Sequence, residues 1–205
     1  MKKITFLRHS KSSWDYNLDD IDRPLNNSGV VKIKKIAELS KVQFINSDKI
    51  FSSSAARAIH TSLILTRCLS INSNRISICE DLYTFEFNEV LNFVNKIENK
   101  YSEVVLVGHN PAYTEISNYF SENKILNLPT ARWFSMKFNS NSWSDILNLK
   151  PLNESSLLIT DDGGIALEYY IIYKKPVLYI NYLEKIHNLY FDKIKINTIE
   201  KEFKN

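Results

Sequence analysis

The sequence predicts an α/β fold with a mainly parallel sheet flanked by helices, on three observations. Glu103-Val-Val-Leu-Val-Gly108 is an unbroken β-branched run of the kind buried on both faces of a parallel sheet. Strand-length apolar runs alternate with segments whose apolar residues recur at helical spacing, the pattern of strands joined by covering helices. The first run, Lys3–Leu7, leads into Arg8-His9, and Glu103–Gly108 leads into His109. In a parallel sheet all carboxyl ends share one edge, so both histidines fall on that edge whatever the strand order.

In chain order, Lys3–Leu7 is the first strand. The polar, aspartate-rich loop from Ser12 to Pro24 reads as a site wall, because a loop of this length after such a strand is seldom a spacer. Asn26-Asn27-Ser28 offers an N-cap to a helix with Val30, Ile33, Ile36, Ala37 and Leu39 on its apolar face. Asp48–Ser52 is a second strand. It feeds a helix, starting around Ser53-Ser54-Ala55, that turns Ile59 and Leu63 inward with Ala58, Leu65 and Leu69 flanking. Arg57 falls in its first turn, where a cation opposes the helix dipole, so an anion is expected beside it. Arg75–Cys79 is a short third strand, and Phe87, Val90, Leu91, Val94 and Ile97 mark an amphipathic helix. After Glu103–Gly108 come a helix over Thr114–Phe120, a strand at Trp133–Phe138 and a turn at Asn139–Ser144. From Pro151 the character changes. Ser156–Thr160, Asp161–Tyr170 and Lys174–Ile180 read as one more βαβ unit, followed by a lysine- and tyrosine-rich tail. The expected domains are therefore residues 1–150 and a C-terminal extension, 151–205.

Composition narrows the function. At 205 residues, 44% hydrophobic and 24% charged, the chain suits one well-packed soluble domain with a modest addition. No apolar run reaches membrane-spanning length, and the basic N-terminus has too short an apolar part for a signal peptide, so a cytoplasmic protein is expected. The net charge of +3 is spread along the chain, which suits a small anion and argues against nucleic acid. Only four glycines are present, Gly29, Gly108, Gly163 and Gly164, which excludes a Walker A loop or a G-x-G-x-x-G turn. Cys68 and Cys79 lie in apolar segments and read as two buried thiols. His60 and His187 are assigned to packing or surface, and no compact metal-ligand spacing occurs.

The chemistry-bearing set is Arg8, His9, Arg57 and His109. A phosphoryl group in transfer needs its outer oxygens held by cations while a nucleophile lines up with the leaving group. Two guanidiniums can hold those oxygens bidentately, and a neutral imidazole is a ready nucleophile at pH 7. Each residue taken singly is an ordinary surface charge or structural histidine. Together they point to a phosphate site that requires no metal and no cofactor.

Several motifs together resemble the histidine phosphatase superfamily, most closely its SixA-type phosphohistidine phosphatase branch, over about residues 1–147. They are Leu7-Arg-His-Ser-Lys-Ser-Ser-Trp-Asp15, Asp22-Arg-Pro-Leu25, Ser52-Ser-Ser-Ala-Ala-Arg-Ala58 with Thr61, Leu82-Tyr83, Val107-Gly-His-Asn-Pro111 and Leu128-Pro-Thr130. The resemblance implies a phosphoglycerate-mutase-like fold and transient phosphorylation of His9. It also implies a phosphate pocket of Arg8, Arg57 and His109 with Ser10 and Asn110, and a phosphohistidine protein or small phosphate ester as substrate. Ser10 stands where the wider superfamily has glycine. Glu80, Asp81 and Glu86 all lie near where the superfamily keeps its general acid, and the choice among them stays open. A weak acid position favours a phosphohistidine substrate, because a departing imidazole needs less protonation than an alkoxide. The alternatives are a small-molecule phosphomonoesterase and a non-catalytic phosphoprotein-binding module.

Thr160-Asp-Asp-Gly-Gly-Ile-Ala-Leu-Glu168-Tyr, with Lys175-Pro-Val177, is similar to a fragment of the nucleotide-binding half of glycerophosphotransferases and related glycosyltransferases. The resemblance implies nucleotide-diphosphate binding through Asp162 or Glu168. The partner half-domain is missing from the sequence, so the better expectation is an extra βαβ unit or a fusion remnant.

Overall fold

The computed structural model describes residues 1–15, 17–121 and 124–146, and the backbone of 158–160 and 177–179. Two units are present, Met1–Asn153 and Glu154–Asn205.

The first unit is built on a five-stranded sheet of β1 (Lys2–Arg8), β2 (Lys49–Ser53), β3 (Ile76–Cys79), β4 (Glu103–Gly108) and β5 (Trp133–Phe138), in the order β3-β2-β4-β1-β5. β3, β2, β4 and β1 run parallel, and β5 lies antiparallel beside β1. The helices are α1 (Asn27–Leu39), the one-turn α2 (Lys41–Phe44), α3 (Ala56–Cys68), α4 (Phe87–Asn95) and α5 (Ala112–Phe120).

Strand alternation divides the core into two layers. Ile4, Phe6, Val104 and Leu106 pack with Val90, Leu91 and Val94 of α4 and Ala112, Tyr113 and Ile116 of α5. Leu7, Ile50, Val105 and Val107 face the other way, onto Ile33, Ile36 and Ala37 of α1 and Ala58 and Leu65 of α3. Each fully buried aliphatic side chain contributes about 1.5–3 kcal/mol to holding helices against the sheet. The parallel register pairs Arg8 with Gly108, so the residues after them, His9 and His109, leave the sheet side by side.

Two local expectations are corrected. The inward face of α3 is Ala58, Thr61, Ser62, Leu65 and Thr66, with Ile59 and Leu63 only half-buried. Its hydroxyls are buried because each donates to a carbonyl one turn back: Thr61 to Arg57, Ser62 to Ala58 and Thr66 to Ser62. Cys68, at the end of α3, is exposed and Cys79 is partly exposed, so the two are not buried thiols. The Asn139–Ser144 turn carries Trp143, which is fully buried and donates its indole N–H to the Tyr101 carbonyl at 3.0 Å.

In the second unit β6 (Leu158–Thr160) and β7 (Val177–Tyr179) pair in parallel, Leu158 opposite Val177. The helix expected between them, and Asp162 and Glu168 within it, lie outside the described residues. Among the described residues no helix is long and apolar enough to cross a membrane.

Candidate active site

Four segments converge at the carboxyl edge of the sheet. β1 delivers Arg8 and His9, β4 delivers His109, the start of α3 delivers Arg57, and the loop between β1 and α1 delivers Asp20. The loop returns to its own root. Ser12 and Leu25 form an antiparallel bridge, the Ser13 amide donates to the Pro24 carbonyl at 2.8 Å, and the buried Arg23 donates to the Ser13 carbonyl at 3.2 Å. Asn26 caps α1 by accepting from the Gly29 amide. A Cβ at Gly29 would stand 2.1 Å from the Lys11 carbonyl oxygen, so glycine is what lets α1 come this close to the strand end.

His9 is 8% exposed, and hydrogen bonding fixes its tautomer. Arg57 Nε–H donates to its Nε2 at 3.3 Å, so that nitrogen carries a lone pair, and the proton on Nδ1 goes to the Ser10 carbonyl at 2.7 Å. Burial, with the positive charges of Arg57, Arg8 and Arg23, outweighs the Ser10 bond and lowers its pKa to about 4. His109 is 1% exposed and is held by its other nitrogen. Arg57 Nη2 donates to Nδ1 at 3.5 Å, leaving Nε2–H to donate to Ser53 Oγ at 2.7 Å. Burial, then His9 and Arg57, bring its pKa to about 3. The two rings lie 5.1 Å apart, both neutral at pH 7.

Arg57 is 3% exposed. Besides its bonds to the histidines, Nη1 donates to the Asp20 carbonyl and Nη2 to Asp20 Oδ2 at 2.7 Å. The anion that its place at the helix start calls for is thus the Asp20 carboxylate, which also accepts from Tyr83 Oη at 2.9 Å and Arg23 Nη1 at 2.8 Å. Partial burial pushes the Asp20 carboxyl up, but the bonds from Arg57 and Tyr83 and the two guanidinium charges win and hold it below its ordinary value. Sequence reasoning missed Asp20. One of four aspartates in Asp15–Asp22, it had as its one signal a place three residues before Arg23, close enough for the pair they form.

Arg8 Nη1 donates to the Leu128 carbonyl at 2.6 Å, while its buried Nε has no partner. A buried guanidinium N–H left unpaired beside a histidine is a donor awaiting an oxygen. Ser10 and Asn110 are placed differently from their expected anion-holding roles. Ser10 donates its hydroxyl to the Gly29 carbonyl at 2.7 Å and its amide to Thr61 Oγ1 at 2.9 Å. Asn110 gives its amide hydrogens to Asn127 Oδ1 and the Leu128 carbonyl, at 2.8 and 2.9 Å. Both therefore fasten the scaffold of the site.

Of the three general-acid candidates, Glu80 accepts from Ser54 Oγ at 2.8 Å, Asp81 pairs with Lys96 at 3.8 Å, and Glu86 sits at the start of α4. Among the described residues no hydrogen bond or ion pair links any of them to His9, Arg57 or His109; the carboxylate that reaches the site is Asp20. Also among the described residues, no group of three or more histidines, cysteines and carboxylates is placed to hold a metal ion.

The fold is an α/β architecture of the phosphoglycerate-mutase-like kind, with two guanidiniums and two neutral imidazoles gathered at one edge of its sheet. Known structures narrow this further. The chain is similar to a protein described provisionally as phosphohistidine phosphatase SixA, from Agrobacterium tumefaciens, at 25% identity with a TM-score of 0.59, over 66% of this chain and 91% of that one. It shares its fold with the protein histidine phosphatase SixA solved with tungstate, at 19% identity and TM-score 0.59, over 68% and 91% of the two chains. It shares it also with a mycobacterial glucosyl-3-phosphoglycerate phosphatase, at 15% identity and TM-score 0.51, over 70% and 93%. Neither a protein-family model nor a curated protein sequence matches the chain.

Proposed function

We propose that this chain is a phosphatase that passes a phosphoryl group to His9 and then to water, without a metal, and that its substrates are phosphohistidine proteins. The observation that carries the reading is the state of His9: Nδ1–H is tied to the Ser10 carbonyl and the Nε2 lone pair faces Arg57, with a pKa of about 4 keeping the ring neutral. A neutral, oriented imidazole beside two guanidiniums is a nucleophile in a phosphate pocket.

In the first step the Nε2 lone pair forms a bond to phosphorus as the bond to the leaving group breaks. Arg8 uses its unpartnered Nε, and Arg57 exchanges the Asp20 carboxylate for phosphoryl oxygens. A bound dianion raises the pKa of His109, so that Nδ1 gains a proton and donates to the phosphoryl group while Nε2–H keeps Ser53. In the second step water attacks phosphorus, the Nε2–P bond breaks, and inorganic phosphate leaves. The substrate class follows from proton supply. Asp20 is held ionised by Arg57 and Tyr83 and is a poor acid, and Glu80 and Asp81 make their bonds elsewhere. A phosphoramidate, whose leaving imidazole needs little protonation, suits such a site better than an alkyl ester.

The test is hydrolysis of a phosphohistidine peptide and of an aryl phosphate, with a chelator present, by the wild type and by His9→Ala. Turnover of the peptide that survives chelation and falls at least about 10⁴-fold in the variant is expected. Preference for the ester would replace the protein substrate with a small one. Phosphate binding with no turnover would leave a binding module.

A further inference from the structure

We infer that Tyr83 and Phe85 form a wall that receives the leaving group, making the site selective for phosphate attached to a flat unsaturated ring. This deepens the phosphatase reading and rests on it for the identity of the anion pocket.

The wall stands directly beside the proposed phosphate site. The Tyr83 and Phe85 rings lie 5.6 and 5.5 Å from the His109 ring, and 5.9 Å from each other. Tyr83 is fixed by donating its hydroxyl to Asp20 and by the Arg57 guanidinium 6.0 Å over its ring. Phe85 is 41% exposed, a large apolar ring turned to water beside the buried His109. The exposure is imposed by a well-tied loop: the neighbouring Thr84 is buried, donates its hydroxyl to the Glu89 carboxylate, and accepts from the Glu86 amide at 3.0 Å. Beyond Asp20, Trp14 is 78% exposed and lies on the Arg23 guanidinium at 3.2 Å.

A ring carried on the substrate's phosphorus meets these faces one step beyond the phosphoryl oxygens. Offset or edge-to-face contact between two aromatic rings adds to the area they bury, and an alkyl group gains no such term. The imidazole of phosphohistidine is a ring of this kind, so the wall and the scarcity of proton donors favour the same substrate chemistry for independent reasons.

Phenylphosphonate and methylphosphonate test the wall without turnover, because they carry the same anion and differ in the ring. The wild type should bind phenylphosphonate about 3- to 10-fold more tightly. Phe85→Ala should bring the ratio close to one with methylphosphonate affinity unchanged, and Phe85→Trp should restore it. A ratio near one in the wild type, or one that survives Phe85→Ala, overturns the wall, and failure to bind either phosphonate overturns the wall and the anion pocket together. Turnover of N-phosphoimidazole separates the two claims. Ring discrimination without turnover upholds the wall and refutes the phosphatase reading, whereas turnover without discrimination does the reverse.

Discussion

His9 and His109 occupy the same place on two neighbouring strands and are held in opposite ways. Each follows an apolar run by one residue or two, each is buried, and the Arg8–Gly108 register brings them out together. His9 gives its Nδ1 proton to a backbone carbonyl and offers Nε2, whereas His109 is tethered through Nε2 to the Ser53 hydroxyl and offers Nδ1. Position on the sheet therefore fixes where an imidazole is, and the partner of its other nitrogen fixes what it does. Arg57 donates to both rings, and its charge adds to the burial that keeps both neutral.

The comparison can be broken most forcefully at His109. His109→Ala leaves the nucleophile in place and removes one oxyanion partner, so kcat should fall by about 10²–10³ while acid-labile phosphate still forms on the protein. Loss of the phospho-intermediate in this variant would show that the two histidines are not separable in role.

A pH series sharpens it. The pKa values of both rings in the fold, about 4 and about 3, lie below the unfolded value near 6.5. Between these limits the unfolded chain binds more protons, so their contribution to stability is complete above pH 6.5 and is lost as pH falls toward 4 and then 3. At pH 5 the loss should be about 2 kcal/mol per histidine, read by urea unfolding in buffer free of phosphate and sulfate. His109→Gln should halve the slope, and an unchanged slope would mean that His109 does not titrate as a buried neutral ring.

The smallest expected effect is at Asp20. Asp20→Asn frees Arg57 from a carboxylate that is nearly half exposed, a pairing worth about 0.2–1 kcal/mol once solvent screening is allowed for. Sulfate should therefore bind up to about 5-fold more tightly, measured by calorimetry at pH 7. Weaker binding would show that Asp20 positions the guanidinium more than it competes for it.

Legibility in the sequence follows the range of the interactions. β1, β4 and the edge they share could be read because burial on both faces leaves an unbroken apolar run and parallel pairing needs no strand order. Arg57 could be read because a cation in the first turn of a helix stands against its local preference. Asp20 could not, since in a loop with several aspartates the one that meets the guanidinium is chosen by contacts that skip 37 residues. The acids after β3 drew attention because the resembled superfamily keeps its general acid near there, but the short 3₁₀ turn at Glu80–Leu82 leads Glu80 to Ser54 and Asp81 to Lys96. The buried face of α3 escaped hydropathy because its hydroxyls satisfy themselves within the helix.

Asp20 meets Arg57 from a loop that a single bridge and Arg23 tie at its base. In the language of turnover, such a contact works as an internal ejector. In the proposed turnover the carboxylate would return to the guanidinium as spent phosphate loosens its hold, so release would proceed by replacement and never leave a buried cation bare. On the proposed reading, such a contact trades tightness toward the product for speed in clearing it.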